Sequence, residues 1–142
     1  MTESGQKVVS DRRAMISGMT PRLMPGRFVF RRMQKDPEPE TMAVALCLFR
    51  EAEGVSLILP EARAEPDAEQ SDLVMRQITL MVMSSLEGVG LTAAVSRALA
   101  DAGIPCNMVA AYAHDHVFVP EAQAEEALTL LEALSRREGG AS

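Results

Sequence analysis

Residues 78–134 read ITLMVMSSLEGVGLTAAVSRALADAGIPCNMVAAYAHDHVFVPEAQAEEALTLLEAL, and this stretch decides the fold. Its first six residues, Ile78 to Met83, alternate between two faces with aliphatic side chains on one of them, which predicts a strand. From Leu91 to Ala102 the apolar residues recur at helical spacing, and Gly103 is placed to end that helix. A strand followed by a helix therefore opens this part of the fold.

The rest of the stretch predicts a hairpin and a closing helix. Two apolar runs, Cys106 to Tyr112 and His116 to Val119, flank the turn Ala113-His114-Asp115. Pro120 suits the first position of a helix whose apolar side chains share one face, namely Ala124, Ala127, Leu128, Leu131 and Leu134. Strand, helix, strand, strand and helix close as an α+β fold, a ferredoxin-like antiparallel sheet with helices on one face. Its last edge strand is missing, so strands of the first half must extend this sheet or pack beside it.

The first half of the chain carries a shorter version of the same pattern. A strand is predicted over Arg27 to Met33, and a hairpin joins Ala43 to Arg50 and Val55 to Leu59, with Gly54 in the turn. A shift of 60 residues places Pro60-Glu61-Ala62-Arg63-Ala64-Glu65 on Pro120-Glu121-Ala122-Gln123-Ala124-Glu125, and five of the six residues are identical. We therefore expect a tandem repeat whose first copy is degenerate and lacks the helix of the second copy.

Composition shifts place the predicted domain boundaries. Residues 1–72 are the degenerate half, with a flexible basic N-terminus over residues 1–13 and an acidic, proline-bearing linker over residues 61–72. Residues 73–138 are the second domain and residues 139–142 are a tail. A chain of 142 residues suits one compact domain or two very small ones.

The charge pattern limits the classes of partner. Fourteen Lys and Arg residues against twenty Asp and Glu residues give a net charge of −6, which disfavours a wholly basic nucleic-acid-binding module. Residues 1–35 hold eight Lys or Arg residues and two acids, and this segment could bind polyanions. The alternative is that Arg27, Arg31 and Arg32 lie on the solvent side of an edge strand, in which Phe28 and Phe30 share one face.

The location of the protein is also constrained by the sequence. No apolar run approaches the roughly 20 residues of a membrane span, and the polar start lacks the apolar region of a signal peptide. Cys47 and Cys106 are far apart and have apolar neighbours. We therefore expect reduced thiols, no cysteine-based zinc site and a cytoplasmic protein.

Several segments resemble a known bacterial family. The resemblance is carried by Ser84-Ser85-Leu86-Glu87-Gly88-Val89-Gly90-Leu91-Thr92-Ala93-Ala94-Val95 and by His114-Asp115-His116-Val117-Phe118-Val119-Pro120. The chain resembles small bacterial ACT-like proteins, a family formerly catalogued as a domain of unknown function. It is more distantly similar to aspartokinase-type ACT domains and to a eukaryotic cytosolic arginine sensor. This resemblance implies a regulatory domain that binds amino acids at paired interfaces, and it leaves a homodimer open as the assembly.

The loop between the strand and the helix is the candidate ligand site. Its glycines let a ligand approach the backbone, and the free N–H groups of a helix start suit a carboxylate. The family resemblance implies an Asp at the position of Ser85, so Glu87 could supply the missing acid, and Asn107 begins a neighbouring strand. The expected ligand-binding residues are Ser85, Leu86, Glu87, Gly88, Val89, Gly90, Leu91 and Asn107. The alternative is that this loop is only a tight turn, in which the glycines allow close packing and the Glu87 side chain is solvated.

Metal and catalytic chemistry have weaker signals. His114 and His116 could face one metal ion, but a hairpin turn in which Asp115 bonds its own backbone explains this segment without a third ligand. Cys106 has no identifiable base nearby in the sequence. We therefore expect a non-catalytic ACT-like module, with no metal or cofactor, that binds an amino acid or a related small metabolite. The alternative is a structural or protein-interaction module that retains no ligand site.

Overall fold

The computed structural model describes residues 7–65, 68–70 and 73–139. The chain forms two compact units: unit 1 runs to Met24 and resumes at Gln77, and unit 2 is Pro25–Arg76. The units therefore divide the chain differently from the predicted boundary at residue 72. The predicted N-terminus, linker and tail fall partly on residues 1–6, 66–67, 71–72 and 140–142, which lie outside the described residues.

The described residues form eight strands and four α-helices. In order they are α1 (Arg12–Ser17), β1 (Pro21–Leu23), β2 (Phe28–Met33), α2 (Pro39–Val44), β3 (Cys47–Glu51), β4 (Gly54–Pro60), β5 (Glu69–Gln70), β6 (Met75–Leu80), α3 (Leu91–Asp101), β7 (Asn107–Ala110), β8 (Asp115–Pro120) and α4 (Ala124–Gly139). Short 3-10 helices, Glu61–Arg63 and Glu121–Gln123, follow β4 and β8.

The strands of unit 1 have the order β1, β6, β8, β7. Strand β1 pairs antiparallel with β6, from Pro21 opposite Leu80 to Leu23 opposite Ile78. This strand is the edge that the second half lacks, and it comes from the first half as expected. The sequence did not mark it as a strand, because three residues starting at a proline show no alternation.

The strands of unit 2 have the corresponding order β5, β2, β4, β3. The strand that ends each hairpin therefore lies in a corresponding place: β4 lies between β3 and β2, and β8 lies between β7 and β6. Both strands end at a proline that leads into a 3-10 helix. This agreement confirms the tandem ferredoxin-like arrangement. The expectation that the first copy lacks this helix is wrong. The first copy has a shorter helix at the corresponding place, since α2 has six residues and α3 has eleven.

Three sequence predictions about strands need correction. Strand β3 begins at Cys47 and not at Ala43, because Ala43 and Val44 belong to α2. Strand β6 ends at Leu80 and not at Met83, because the next backbone N–H, that of Met81, donates to the Met19 carbonyl oxygen at 2.6 Å. Strand β2 is not an edge strand, since it pairs with β4 on one side and with β5 on the other. Arg31 and Arg32 are half-buried in it and point to opposite faces, as consecutive strand residues must.

One hydrophobic cluster forms the core of unit 1. Side chains of α1, α3 and α4 pack with those of β6 and β8 in one cluster, whose fully buried members include Met15, Ile78, Leu80, Val95, Leu99, Val117, Val119 and Leu131. The predicted inward face of α4 is confirmed at four of its five positions, with Leu128 only partly buried. No helix among the described residues is long and apolar enough to cross a membrane.

Candidate functional site

The loop of residues 81–90 joins β6 to α3, and the N-terminal segment fixes its first part. The N–H group of Val9 donates to the Met83 carbonyl oxygen at 2.8 Å, and the N–H group of Ser85 donates to the Val9 carbonyl oxygen at 2.7 Å. Val9 and Ser84 thereby form a short parallel β-bridge. The loop is thus held by backbone hydrogen bonds on the side that faces the N-terminal segment.

The second part of the loop is a tight turn. The N–H group of Gly88 donates to the Ser85 carbonyl oxygen at 2.9 Å, and the N–H group of Glu87 donates to the Ser85 hydroxyl oxygen at 3.0 Å. A β-carbon at Gly88 would lie 2.8 Å from the sulfur of Met15. A side chain at position 88 would therefore displace the end of the Met15 side chain, which favours the packing interpretation of this glycine.

The start of α3 leaves backbone donors open. Gly90 precedes the helix with φ of 111°, a left-handed conformation, and no side chain among the described residues caps the helix. The first bond within the helix runs from the Ala94 N–H to the Gly90 carbonyl oxygen. The N–H groups of the three preceding residues, 91–93, have no partner within the helix, and they form its positive end.

These open donors lie beside a cavity of about 490 Å³ in unit 1. The cavity is lined by residues of the loop, the start of α3, the α1 helix and the β7–β8 hairpin. They are Met15, Ser84, Ser85, Leu86, Gly88, Val89, Gly90, Leu91, Thr92, Ala93, Ala110 and Asp115. Most of these lining residues are apolar or carry a hydroxyl group. The charge of the cavity therefore depends on the one acidic side chain among the described lining residues.

Asp115 is that acidic side chain, and it is 7% exposed. It is the first residue of β8 and not part of the turn, which corrects the prediction that it bonds its own backbone. Burial raises the pKa of the Asp115 carboxyl above its ordinary value of 3.8, and the charges of His116 and His114 and a hydrogen bond from the Ser84 side chain act in the opposite direction. The sequence pattern that could have predicted the burial of Asp115 is the alternation along β8, which places Asp115 on the same face as the buried Val117.

The two histidines beside Asp115 are occupied by other contacts. The His116 Nδ1 atom lies 3.0 Å from the Thr79 hydroxyl oxygen and 3.1 Å from the Gln77 amide nitrogen. The His114 Nδ1 atom lies 3.3 Å from the Val82 carbonyl oxygen. Within the described parts of the chain, His, Cys, Asp and Glu side chains do not gather in a group of three or more that could hold a metal ion.

Comparisons with known proteins show which family this chain belongs to. A model described as the ACT domain matches residues 73–133, and a second model with the same description matches residues 9–76. A Vibrio cholerae protein of unknown function, described as a possible transport protein, is 36% identical over 87% of this chain and 94% of its own, with a TM-score of 0.75. The chain belongs to the ACT-domain family. No curated protein matches it.

Two further structures share the fold of this ACT protein at low identity. A protein from Agrobacterium tumefaciens is 16% identical over 81% of this chain and 87% of its own, with a TM-score of 0.67. The regulatory subunit of aspartate kinase from Thermus thermophilus is 11% identical over 80% of this chain and 95% of its own, with a TM-score of 0.58. These two similarities concern the fold alone. As a class, ACT domains are typically regulatory modules that bind small ligands.

The structure brings together six of the eight predicted ligand-binding residues at the cavity of this ACT protein. They are Ser85, Leu86, Gly88, Val89, Gly90 and Leu91. Glu87 lines a smaller neighbouring cavity of about 210 Å³, with Val8 and Tyr112 among its other lining residues. Asn107 is exposed at the far end of β7, roughly 10 Å along the strand from Ala110, and does not line the cavity.

Protonation of His116 should make the free energy of unfolding depend on pH. Burial lowers the pKa of the His116 imidazole below its ordinary value of 6.5; the nearby His114 lowers it too, and Asp115 opposes this. As the pH falls below 6.5 the unfolded chain takes up this proton first, so the free energy of unfolding should decrease until the pH passes the folded-state pKa. Urea unfolding between about pH 8 and pH 5 should give a flatter profile for His116→Gln than for the unmodified protein. Parallel profiles would contradict this assignment.

Proposed function

We propose that this ACT protein is a non-catalytic regulatory module that binds an amino acid, or a related small metabolite, in the cavity beside the loop of residues 84–91. The observation that carries the proposal is the juxtaposition of open N–H groups at the start of α3 with the carboxylate of Asp115 at one cavity. The chain's membership of the ACT-domain family supports a regulatory role. A homodimer and a cytoplasmic location stay predictions.

The cavity suits a small zwitterion in size and in charge. Its volume of about 490 Å³ lies within the range of small-molecule sites, which is roughly 300 to 1,000 Å³. The carboxylate of an amino acid would accept hydrogen bonds from the N–H groups of Leu91, Thr92 and Ala93, where the helix dipole also favours negative charge. Such a ligand needs no metal and no reacting side chain.

A protein-interaction module is the second candidate function. Four large apolar side chains around the two cavities are strongly exposed: Val8 at 56%, Leu86 at 69%, Val89 at 79% and Tyr112 at 86%. Apolar side chains grouped in this way are typical of binding surfaces. If no small molecule binds, this candidate takes precedence.

A thermal-shift screen of the common amino acids and related small metabolites tests the proposal, followed by calorimetry on any compound that raises the melting temperature. A ligand that binds only the folded chain stabilises it by about 2.7 kcal/mol at one hundred times its Kd. The proposal predicts that at least one of these compounds binds. Failure of every amino acid and every related metabolite to bind would overturn it.

The position of the ligand carboxylate can be tested at Ala93. This residue is exposed, lies in the first turn of α3 and lines the cavity. Ala93→Glu adds a negative charge that the helix start tolerates, so the fold should be kept while a carboxylate ligand is repelled. We expect affinity to fall about tenfold or more for Ala93→Glu relative to the matched neutral variant Ala93→Gln. Equal affinities of the two variants would place the ligand carboxylate elsewhere.

A further inference from the structure

We infer that Asp115 holds the ammonium group of the ligand, and that the ligand is an α-amino acid with an uncharged side chain. This inference rests on the proposed function, because it names the ligand class of the same cavity. It differs from the sequence-based expectation, in which Glu87 or Asn107 meets the amino group. The argument comes from the charges and partners of the side chains that line the cavity.

Asp115 is a buried carboxylate with an incomplete set of partners. Its side chain has one hydrogen-bond partner among the described residues, the Ser84 hydroxyl, whereas a carboxylate has about four acceptor sites. The neighbouring imidazoles direct their Nδ1 atoms at other groups, His116 at Thr79 and His114 at the Val82 carbonyl. A carboxylate with this little exposure gains stability from a counter-charge and from further hydrogen-bond donors. An ammonium group in the cavity would supply both.

The remaining lining defines the side chain of the ligand. Among the described residues that line the cavity, Asp115 is the one that carries a charged side chain, and the rest are apolar, hydroxylic or glycine. The ammonium group of an α-amino acid would pair with Asp115, and its carboxylate would pair with the start of α3. The described lining residues offer no second charged side chain to pair with a further charge on the ligand. Small aliphatic or hydroxylic amino acids are therefore favoured over lysine, arginine, aspartate and glutamate.

Calorimetry with two variants tests the role of Asp115. The test variant is Asp115→Asn, which has the same shape and can still bond Ser84, and the control is Glu87→Gln. The probes are alanine, valine, leucine and threonine. We expect at least one of them to bind the unmodified protein, with affinity reduced about ten- to a hundredfold in Asp115→Asn and changed less than about threefold in Glu87→Gln. Circular dichroism and the unfolding midpoint check that each variant is folded.

A second set of probes keeps the test decisive if Asp115→Asn fails to fold. The 2-hydroxy acids lactate and 2-hydroxyisovalerate match alanine and valine but lack the ammonium group, so they should bind the unmodified protein at least about tenfold more weakly. Equal affinity for hydroxy and amino acids, or an unchanged affinity in a folded Asp115→Asn, would overturn the role of Asp115 and leave the proposed function standing. Binding of charged amino acids alone would overturn the ligand class. Binding of a related metabolite but of no amino acid would also overturn the ligand class, whereas binding of neither would overturn the proposed function.

Discussion

Replacing Gly54 with alanine is expected to lower the free energy of unfolding by about 3 kcal/mol or more. Gly54 follows the turn of the β3–β4 hairpin with φ of 140°, a conformation that side chains rarely adopt. A β-carbon there would lie 2.4 Å from the Met33 carbonyl oxygen. That oxygen belongs to the last residue of β2, which is paired with Val55 of β4, so it cannot move without disturbing the β2–β4 ladder.

Gly103→Ala is the matched control for this prediction. Gly103 also has a positive φ, 74°, but a β-carbon there would have no heavy atom within 4 Å. It should therefore show the backbone strain alone, about 1 kcal/mol. Urea unfolding followed by circular dichroism measures both variants. Equal destabilisation of the two would mean that the Met33 carbonyl is not what demands glycine at position 54.

Leu131→Ala is expected to lower the free energy of unfolding by about 2 to 5 kcal/mol. Leu131 is fully buried on the inner face of α4, within the cluster that also contains side chains of α1, α3, β6 and β8. Its truncation removes apolar contacts and leaves a cavity that well-packed neighbours can fill only in part. The same urea unfolding measurement tests this prediction.

Leu86→Ala provides the comparison for Leu131. The same atoms are deleted, but Leu86 is 69% exposed in the loop before α3, so the free energy of unfolding should change by less than about 0.5 kcal/mol. A loss below about 1 kcal/mol for Leu131→Ala would show that the core around α4 can close over the missing side chain. Because Leu86 lines the cavity, this variant can also be used in the ligand screen.

Much of the candidate site could be predicted from the sequence, because its main part is one continuous segment. The strand, the small-residue loop and the helix start at Leu91 lie next to one another in the chain, and six of the eight expected residues line the cavity. Asn107 does not line this cavity, and a start-of-strand position in the sequence does not reveal which end of the strand meets the loop. Asp115 was missed because its segment also suited a turn, and only its pairing opposite Ala110 places it in β8.

The sequence by itself determined the local elements and their order. Periodicity in α3 and α4, the hairpins and the repeat around Pro60 and Pro120 are properties of neighbouring residues, and the ferredoxin-like class follows from their order. Only the tertiary structure decided which distant segment completes unit 1. The three residues of β1 become a strand through hydrogen bonds to β6, more than fifty residues later, and the Met15 side chain of α1 packs beside Gly88. Such pairings depend on long-range contacts, which leave no periodic signal in the segments that make them.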